Sequence, residues 1–136
     1  MSRLLAIDYG GKRTGIAVTD TLQIIASGLT TVETKKLQAF MEDYLTKEEV
    51  ECVVVGQATR MSGELSDIEQ QIVPFIKFLK RRFPQLKIER ENERFTSQIA
   101  LQSMIDGGLK KKKRQEKGIV DMVSATLILQ RYMERM

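Results

Sequence analysis

The sequence predicts an α/β fold with a mixed five-stranded sheet, in which the first three strands are antiparallel and helices cover both faces. Two observations predict it. The first 31 residues hold three short apolar stretches separated by turn residues, and from residue 37 stretches with helical spacing alternate with short strand-like stretches. Strands followed by alternating helices and strands are typical of a mixed sheet packed between helices. The 136 residues are predicted to form a single domain, residues 1–136, with a sizeable core.

The first three strands are predicted from apolar stretches and one glycine turn. Residues 3–8, RLLAID, form an apolar strand that ends in a carboxylate, and the Gly-Gly pair that follows allows a tight turn. Residues 15–19 and residues 22–31 supply the second and third strands. Short connections between them favour an antiparallel meander.

In the middle of the chain, stretches with helical spacing alternate with strand-like stretches. Apolar residues within 37–45 have helical spacing, and residues 50–55 form a nearly continuous apolar run that is typical of a strand covered on both faces. Residues 68–79 form a long amphipathic helix, which we expect to end just before Pro84. Residues 86–91 alternate and predict the fifth strand.

Two helices complete the chain. Thr96 or Ser97 is placed to cap a helix that continues to residue 105, where a following Gly-Gly pair stops it. Residues 119–135 form the last helix, which follows Gly118. The predicted order is therefore βββ-α-β-α-β-α-α.

The amino-acid composition excludes several kinds of enzyme. The chain has no histidine, which removes Ser-His-Asp and Cys-His catalysis, histidine-ligated zinc and histidine as a general base. The lone cysteine, Cys52, lies in the apolar run ECVVVG and is expected to be a small buried side chain. Catalysis by this chain would have to use carboxylates, lysines, hydroxyls or a hard metal ion.

Location and partners follow from charge and hydropathy. No apolar run approaches the roughly 18 residues that a membrane-spanning helix needs, and the N-terminus lacks the pattern of a signal peptide. We therefore expect a cytoplasmic protein that does not contact a membrane. The net charge of +4 suits an anionic partner.

Three acidic residues are candidates for chemistry. Asp8 ends the first strand, Glu93 follows the fifth strand, and Asp121 lies near the start of the last helix among apolar neighbours. Each has a simpler explanation when taken alone: Asp8 as a turn residue, Glu93 as a solvated charge, and Asp121 as an acid favoured by the helix dipole.

Taken together, the three acids indicate a metal site. Sites in open α/β sheets gather beyond the carboxyl ends of strands, where we expect Asp8, Glu93 and Asp121 to meet. Three carboxylates in one place repel one another unless a cation lies between them, and Mg²⁺ prefers such oxygen ligands. Two such ions about 4 Å apart would suit hydrolysis of a phosphodiester.

Basic residues near these acids suit a phosphate-containing substrate. Some follow the first turn, one lies in the loop predicted at residues 56–63, one adjoins Glu93, and five form an unbroken run. We expect all of them to contact nucleic acid, although the run is also explained as a solvated loop. The residues are Lys12, Arg13, Arg60, Arg94, Lys110, Lys111, Lys112, Lys113 and Arg114.

Four motifs resemble those of the YqgF family, which comprises RNase H-fold proteins described as Holliday-junction-resolvase-like proteins and pre-16S ribosomal RNA nucleases. They are LLAIDYGGKRTGIAVTD at 4–20, VVVGQATRMSG at 53–63, NERFTSQIA at 92–100 and VDMVSATLIL at 120–129. The resemblance covers essentially the whole chain. It implies an RNase H-like fold, a metal-binding triad of Asp8, Glu93 and Asp121, and a part in maturing the 5′ end of 16S rRNA in the cytoplasm.

The chain departs from the family pattern at two places. Asn92 stands where the family usually has Asp, which removes one negative charge beside Glu93. In the loop after the fourth strand, Gln57-Ala58 replaces Leu-Pro and Ser62 replaces Asp. These changes concern the rigidity of the loop and its fit to a substrate more than metal chemistry.

Three functions are compatible with these features. The main prediction is an endonuclease that uses Mg²⁺ or Mn²⁺ to cleave structured RNA such as pre-16S rRNA, acting as a monomer or a weak dimer. Branched DNA is the nearest alternative substrate, and cutting a four-way junction symmetrically would require a dimer. A non-catalytic rRNA-binding assembly factor would use only the basic surface. An actin-like ATPase is disfavoured because such proteins close two domains around ATP.

Overall fold

The computed structural model describes residues 2–57, 67–92 and 117–136, and these ranges contain five strands and three α-helices. The elements are β1 (Arg3–Asp8), β2 (Arg13–Thr19), β3 (Ala26–Glu33), a 3₁₀ turn (Thr34–Lys36), α1 (Leu37–Lys47), β4 (Val50–Gln57), α2 (Glu69–Arg82), β5 (Lys87–Asn92) and α3 (Lys117–Arg135). None of the described helices is long and apolar enough to cross a membrane.

The strands form one sheet in the order β3-β2-β1-β4-β5. β2 is antiparallel to both β1 and β3, whereas β4 is parallel to both β1 and β5. The predicted mixed sheet with three antiparallel strands is therefore confirmed. Because β1, β4 and β5 run the same way, their carboxyl ends lie at one edge of the sheet.

Side-chain alternation along β1 separates two hydrophobic clusters. Leu5 and Ile7 pack with residues of α1 and α2 on one face. Leu4 and Ala6 pack with residues of α3 on the other face. This confirms the prediction of helices on both faces. Because strand side chains alternate with a period of two, Asp8 follows Leu4 and Ala6 and lies on the α3 side of the sheet.

The face that α3 covers is built from small side chains. Ala6, Ala17 and Cys52 are buried there against α3, so the helix can approach the sheet closely. Cys52 is buried as predicted, with its Sγ 3.8 Å from the Tyr132 hydroxyl oxygen. Burial raises the pKa of the Cys52 thiol, which keeps it protonated and unreactive.

The third strand begins later than the sequence predicts. We predicted residues 22–31, but β3 is Ala26–Glu33. The reason is Asp20, whose carboxylate accepts hydrogen bonds from the backbone N–H groups of Leu22, Ile24 and Ile25 at 2.8–3.1 Å. These bonds hold the preceding residues in a loop, in which Gln23 has a positive φ of 57°.

The other boundaries differ by a few residues. β2 begins at Arg13 rather than residue 15, and β4 continues to Gln57, which pairs with Asn92 of β5. α2 ends before Phe83, as predicted from Pro84. The predicted helix that follows Thr96 or Ser97 lies outside the described residues. The loop predicted at residues 56–63 is wrong at its first two residues, which belong to β4, and its remaining residues also lie outside the described residues.

Removing the Asp20 carboxylate is expected to release the loop before β3. In Asp20→Ala, the amide protons of Ile24 and Ile25 lose their acceptor, so both should exchange faster with solvent by NMR. The hydrogen bond from Ile25, aided by those from Ile24 and Leu22, holds the pKa of Asp20 below its ordinary value of 3.8. The loop should therefore stay closed above that value and open as the pH falls through the lowered pKa. Unchanged amide exchange in the variant would contradict this.

Candidate active site

Asp8 lies at the carboxyl end of β1, just before the turn that leads to β2. It is the last residue of β1, half-buried, and it lies on the α3 side of the sheet. In the antiparallel pairing with β2, the residue opposite Asp8 is Gly15. Whatever contacts Gly15 on the α3 side is therefore a neighbour of Asp8.

The backbone of Asp121 contacts Gly15. A Cβ atom placed on Gly15 would lie 2.0 Å from the backbone oxygen of Asp121 and 2.3 Å from its carbonyl carbon, so only glycine fits at this position. Paired Cα atoms of antiparallel strands are roughly 4.5–5.5 Å apart. The structure thus brings two of the three predicted acids, Asp8 and Asp121, to the same small region of one sheet face.

Asp121 is paired with a residue that we predicted to bind nucleic acid. The Nε of Arg13 donates to Oδ2 of Asp121 over 3.1 Å. The Arg13 side chain is 40% exposed and that of Asp121 is 24% exposed, so solvent reaches both. Arg13 lies two residues before Gly15 and shares its side of the strand, which brings the guanidinium to the acid. In the described structure Arg13 therefore neutralises Asp121.

The turn that carries Lys12 and Arg13 is held by hydrogen bonds. A Cβ on Gly10 would lie 2.2 Å from the backbone oxygen of Arg13, so the tight turn requires glycine there. The Thr34 hydroxyl donates to the Gly10 carbonyl oxygen over 2.6 Å, and the Thr34 amide donates to the Lys12 carbonyl oxygen over 2.9 Å. Lys12 is exposed. The turn thus presents an exposed cation next to Arg13 in the chain.

The start of α3 is tied to the sheet edge. The Thr31 hydroxyl of β3 donates to the carbonyl oxygen of Gly118 over 2.5 Å. This contact lies three residues before Asp121. Together with the Gly15 contact, it fixes the first turns of the helix against β3 and β2.

A partly buried ion pair at the same end of the sheet was not predicted from the sequence. Both oxygens of Glu69, at the start of α2, accept from Nη2 of Arg90 over 2.8–2.9 Å. Arg90 also donates to the carbonyl oxygens of Val55 and Gly56. It therefore joins α2, β4 and β5. The sequence around Glu69 and Arg90 gives no sign of this pair, because charged residues in such segments usually face water.

The substitution Glu69→Gln is expected to lower the free energy of unfolding by about 2 kcal/mol. The Glu69 side chain is 8% exposed, but that of Arg90 is 26% exposed. Water can therefore reach Arg90 after the change, which keeps the cost below that of a fully buried pair. Urea unfolding measures the effect. Asp43→Asn is the control, because it removes the exposed pair with Lys47 and should change the free energy by under about 0.5 kcal/mol. Equal effects would contradict this account.

Another acid on the α3 side of the sheet is already paired. Glu91 of β5 is buried beside Gly56 of β4, and Arg135 at the end of α3 lies 2.7 Å from its Oε2. Glu91 therefore contributes to the attachment of α3, and we do not assign it to the candidate site.

The remaining predicted site residues lie outside the described residues. These are Glu93, Arg60, Arg94, Lys110, Lys111, Lys112, Lys113 and Arg114. Within residues 2–57, 67–92 and 117–136, no three His, Cys, Asp or Glu side chains lie close enough together to hold a metal ion. The described part of the site contributes two carboxylates, Asp8 and Asp121. Such oxygen donors fit a hard divalent cation.

Curated proteins of similar sequence cover nearly the whole chain. A protein of Christiangramia forsetii named "Putative pre-16S rRNA nuclease" is 56% identical over 98% of this chain and 98% of its own length. A Bacteroides thetaiotaomicron protein of the same name is 54% identical over 98% of this chain and 97% of its own length.

A solved structure has the same fold. It is described as T. thermophilus RuvC in complex with Holliday junction substrate, and it aligns with a TM-score of 0.60 at 18% identity. The alignment covers 99% of this chain and 96% of that one. It confirms the RNase H-like fold class.

The profile of the RuvX family, described as Holliday junction resolvase, matches residues 2–135. Together with the curated relatives, it confirms the resemblance to the YqgF family and the prediction of a nuclease, a hydrolase that acts on ester bonds of nucleic acids. The chain belongs to the RuvX (YqgF) family.

Proposed function

We propose that this protein is an endonuclease that depends on a divalent cation and cleaves structured RNA during 5′-end maturation of pre-16S rRNA. Asp8, Glu93 and Asp121 hold the cation, Mg²⁺ or Mn²⁺, and are the catalytic residues. The protein works in the cytoplasm as a monomer or a weak dimer. The observation that carries the proposal is the contact of Gly15 with the Asp121 backbone, opposite Asp8.

Electrostatics supports a cation between these acids. Asp8 belongs to β1 and Asp121 to α3, and the two acids are 113 positions apart in the chain. Gly15 links them, because it pairs with Asp8 and contacts the backbone of Asp121. Like charges held close together favour either a proton or a cation between them. Carboxylate oxygens are the ligands that Mg²⁺ takes in phosphate-processing sites.

Each described residue has a definite task in the proposed reaction. A divalent cation held by these acids would supply an activated water and would stabilise charge on the phosphate oxygens. Asp8 is held by the centre of the sheet, and Asp121 by the packing of α3 on Gly15, so both ligands are pre-positioned. Lys12 extends from the braced turn and supplies positive charge for the phosphate backbone. Glu93 follows β5 directly in the sequence and completes the ligand set.

The basic residues form the proposed nucleic-acid surface. Contacts to phosphates give affinity that does not depend on base sequence and that falls as salt increases. The low aromatic content, 6% with no tryptophan, offers little base stacking. The surface consists of Lys12, Arg13, Arg60, Arg94, Lys110, Lys111, Lys112, Lys113 and Arg114.

The relatives' names divide between two substrates. The curated relatives are named for pre-16S rRNA, whereas the family profile is described by the Holliday junction. We place RNA first because those relatives are more than half identical to this chain over nearly its whole length. A four-way DNA junction is the second candidate, and its cleavage would require a dimer.

A cleavage assay with both substrates tests the proposal. The protein is incubated with Mg²⁺ or Mn²⁺ and either a 5′-extended 16S precursor or a four-way DNA junction. We expect endonucleolytic cuts in the RNA precursor, none in EDTA and none in Asp8→Asn. Cleavage of the junction alone would move the function to the second candidate.

A non-catalytic assembly factor gives a different result. It would bind the precursor without cutting it, and Asp8→Asn would then leave rRNA maturation in cells unaffected. Mature 16S 5′ ends in cells that carry only Asp8→Asn would therefore contradict the proposed catalysis.

A further inference from the structure

We propose that Arg13 occupies the place of the metal cation at Asp121, so that the pairing of Arg13 and the binding of the cation compete for one carboxylate. The inference rests on the proposed metal site. It assigns Arg13 as a positioning residue, which holds Asp121 while the cation is absent and must release it when the cation binds.

The geometry of the ion pair suggests that it can open. Only one nitrogen of Arg13 and one oxygen of Asp121 make the contact, Nε to Oδ2 at 3.1 Å. Both side chains reach solvent, at 40% and 24% exposure. Pairs of this kind have little net strength, because water can replace either partner.

The second arginine pair near this end of the sheet provides a contrast. Arg90 contacts both oxygens of Glu69 and two backbone carbonyls as well, and Glu69 is almost fully buried. An arginine held in this way keeps one position. Among the residues that the structure describes, the Arg13 side chain is held by one hydrogen bond, to Asp121, so breaking that bond frees it.

The position of the pair makes the two events compete. Arg13 and Gly15 lie on the same side of β2, and Gly15 contacts the Asp121 backbone while pairing with Asp8. The guanidinium therefore reaches Asp121 from the strand that also borders Asp8. A cation shared by the two acids would meet this positive charge at close range, and the binding of each weakens the binding of the other by the same factor.

Freed from Asp121, the guanidinium remains on the braced turn beside the site. It can then contact a phosphate of the substrate, as an arginine does well. The charge that stabilises the metal-free site would thus serve the substrate once the cation is bound.

Titration of Mn²⁺ into the wild-type protein and Arg13→Gln tests the inference. We expect Arg13→Gln to bind Mn²⁺ roughly ten-fold more tightly, the scale for removing a unit charge beside a cation in a partly exposed site. A merely structural arginine would not improve metal binding when removed. Isothermal titration calorimetry gives the dissociation constants without any substrate.

Lys12→Gln is the matched control. It removes the same charge from the same turn, but Lys12 is exposed and makes no ion pair in the described part of the chain. Its dissociation constant for Mn²⁺ should change by about two-fold or less, since exposed charges are screened. Equal changes in the two variants, or no change in Arg13→Gln, would overturn the inference.

Two further measurements keep the outcomes separate. If Arg13→Gln is poorly folded, Arg13→Lys serves instead, because it keeps the charge without the Nε donor and should give an intermediate affinity. If wild type and Arg13→Gln bind Mn²⁺ with the same dissociation constant, the inference about Arg13 is overturned and the proposed metal site is not. Absence of Mn²⁺ binding by both overturns it together with the proposed metal site.

Discussion

Asp121→Asn is expected to cleave RNA at least about a hundred-fold more slowly than the wild-type protein while remaining folded. Changes to groups that only support a metal ligand commonly cost 10- to 100-fold, and Asp121 is proposed as a ligand itself. The amide keeps the size of the side chain but loses its charge. The structural cost is limited to the partly exposed pair with Arg13, at most about 1 kcal/mol.

The control for this substitution is another acid that pairs with a cation. Asp43→Asn breaks the pair with Lys47 on α1, where both side chains are more than 60% exposed. It should retain full activity. Initial rates are compared at saturating Mn²⁺, with thermal unfolding of each variant as the check on folding. An Asp121→Asn protein with more than a tenth of the wild-type rate would contradict the assigned role.

Gly15→Ala is expected to destabilise the protein strongly. The new Cβ would lie 2.0 Å from a backbone oxygen of α3, and backbone cannot move aside as a flexible side chain can. Overpacking costs typically 1–3 kcal/mol, and we expect about 3 kcal/mol or more here. Relief requires α3 to move away from β2, which would carry Asp121 away from Asp8. Activity should therefore fall even in the folded fraction.

Gly28→Ala is the control, because it separates the effect of this clash from the general effect of replacing a strand glycine by alanine. Gly28 of β3 faces the same helix, but its added Cβ would lie 3.3 Å from the Cβ of Met122. A shift of a few tenths of an ångström relieves that contact, so a change of about 1 kcal/mol or less is expected. The free energies of unfolding in urea give the comparison. If Gly15→Ala were as stable as Gly28→Ala, the close packing of α3 on Gly15 would be wrong.

The fold was predictable because its sequence patterns are local. The apolar run in residues 3–8 and the helical spacing in residues 68–79 correspond closely to β1 and α2. The loop at Asp20 was missed because one carboxylate organises three backbone amides there, and apolar residues such as Ile24 and Ile25 otherwise resemble a strand. Strand propensity does not account for a side chain that competes with strand pairing for backbone N–H groups.

The sequence indicates acids for the candidate site but does not indicate its packing. Asp8 and Asp121 were noticed because a carboxylate among apolar residues is costly to bury without a partner or a cation. The role of Gly15 was missed, although a glycine within a strand pattern is a known sign of close backbone approach. The pairing of Arg13 with Asp121, and that of Arg90 with Glu69, depends on tertiary contacts between distant segments. The roles of Asp8, Glu93 and Asp121 in catalysis stay predictions.

Anomalous diffraction from crystals of the protein soaked in Mn²⁺ tests the shared cation most directly. We predict a manganese peak with carboxylate oxygens of both Asp8 and Asp121 within about 2.0–2.3 Å, and Arg13 turned away from Asp121. A well-occupied manganese ion elsewhere, with Asp121 still bound to Arg13 and Asp8 without metal, would contradict the account.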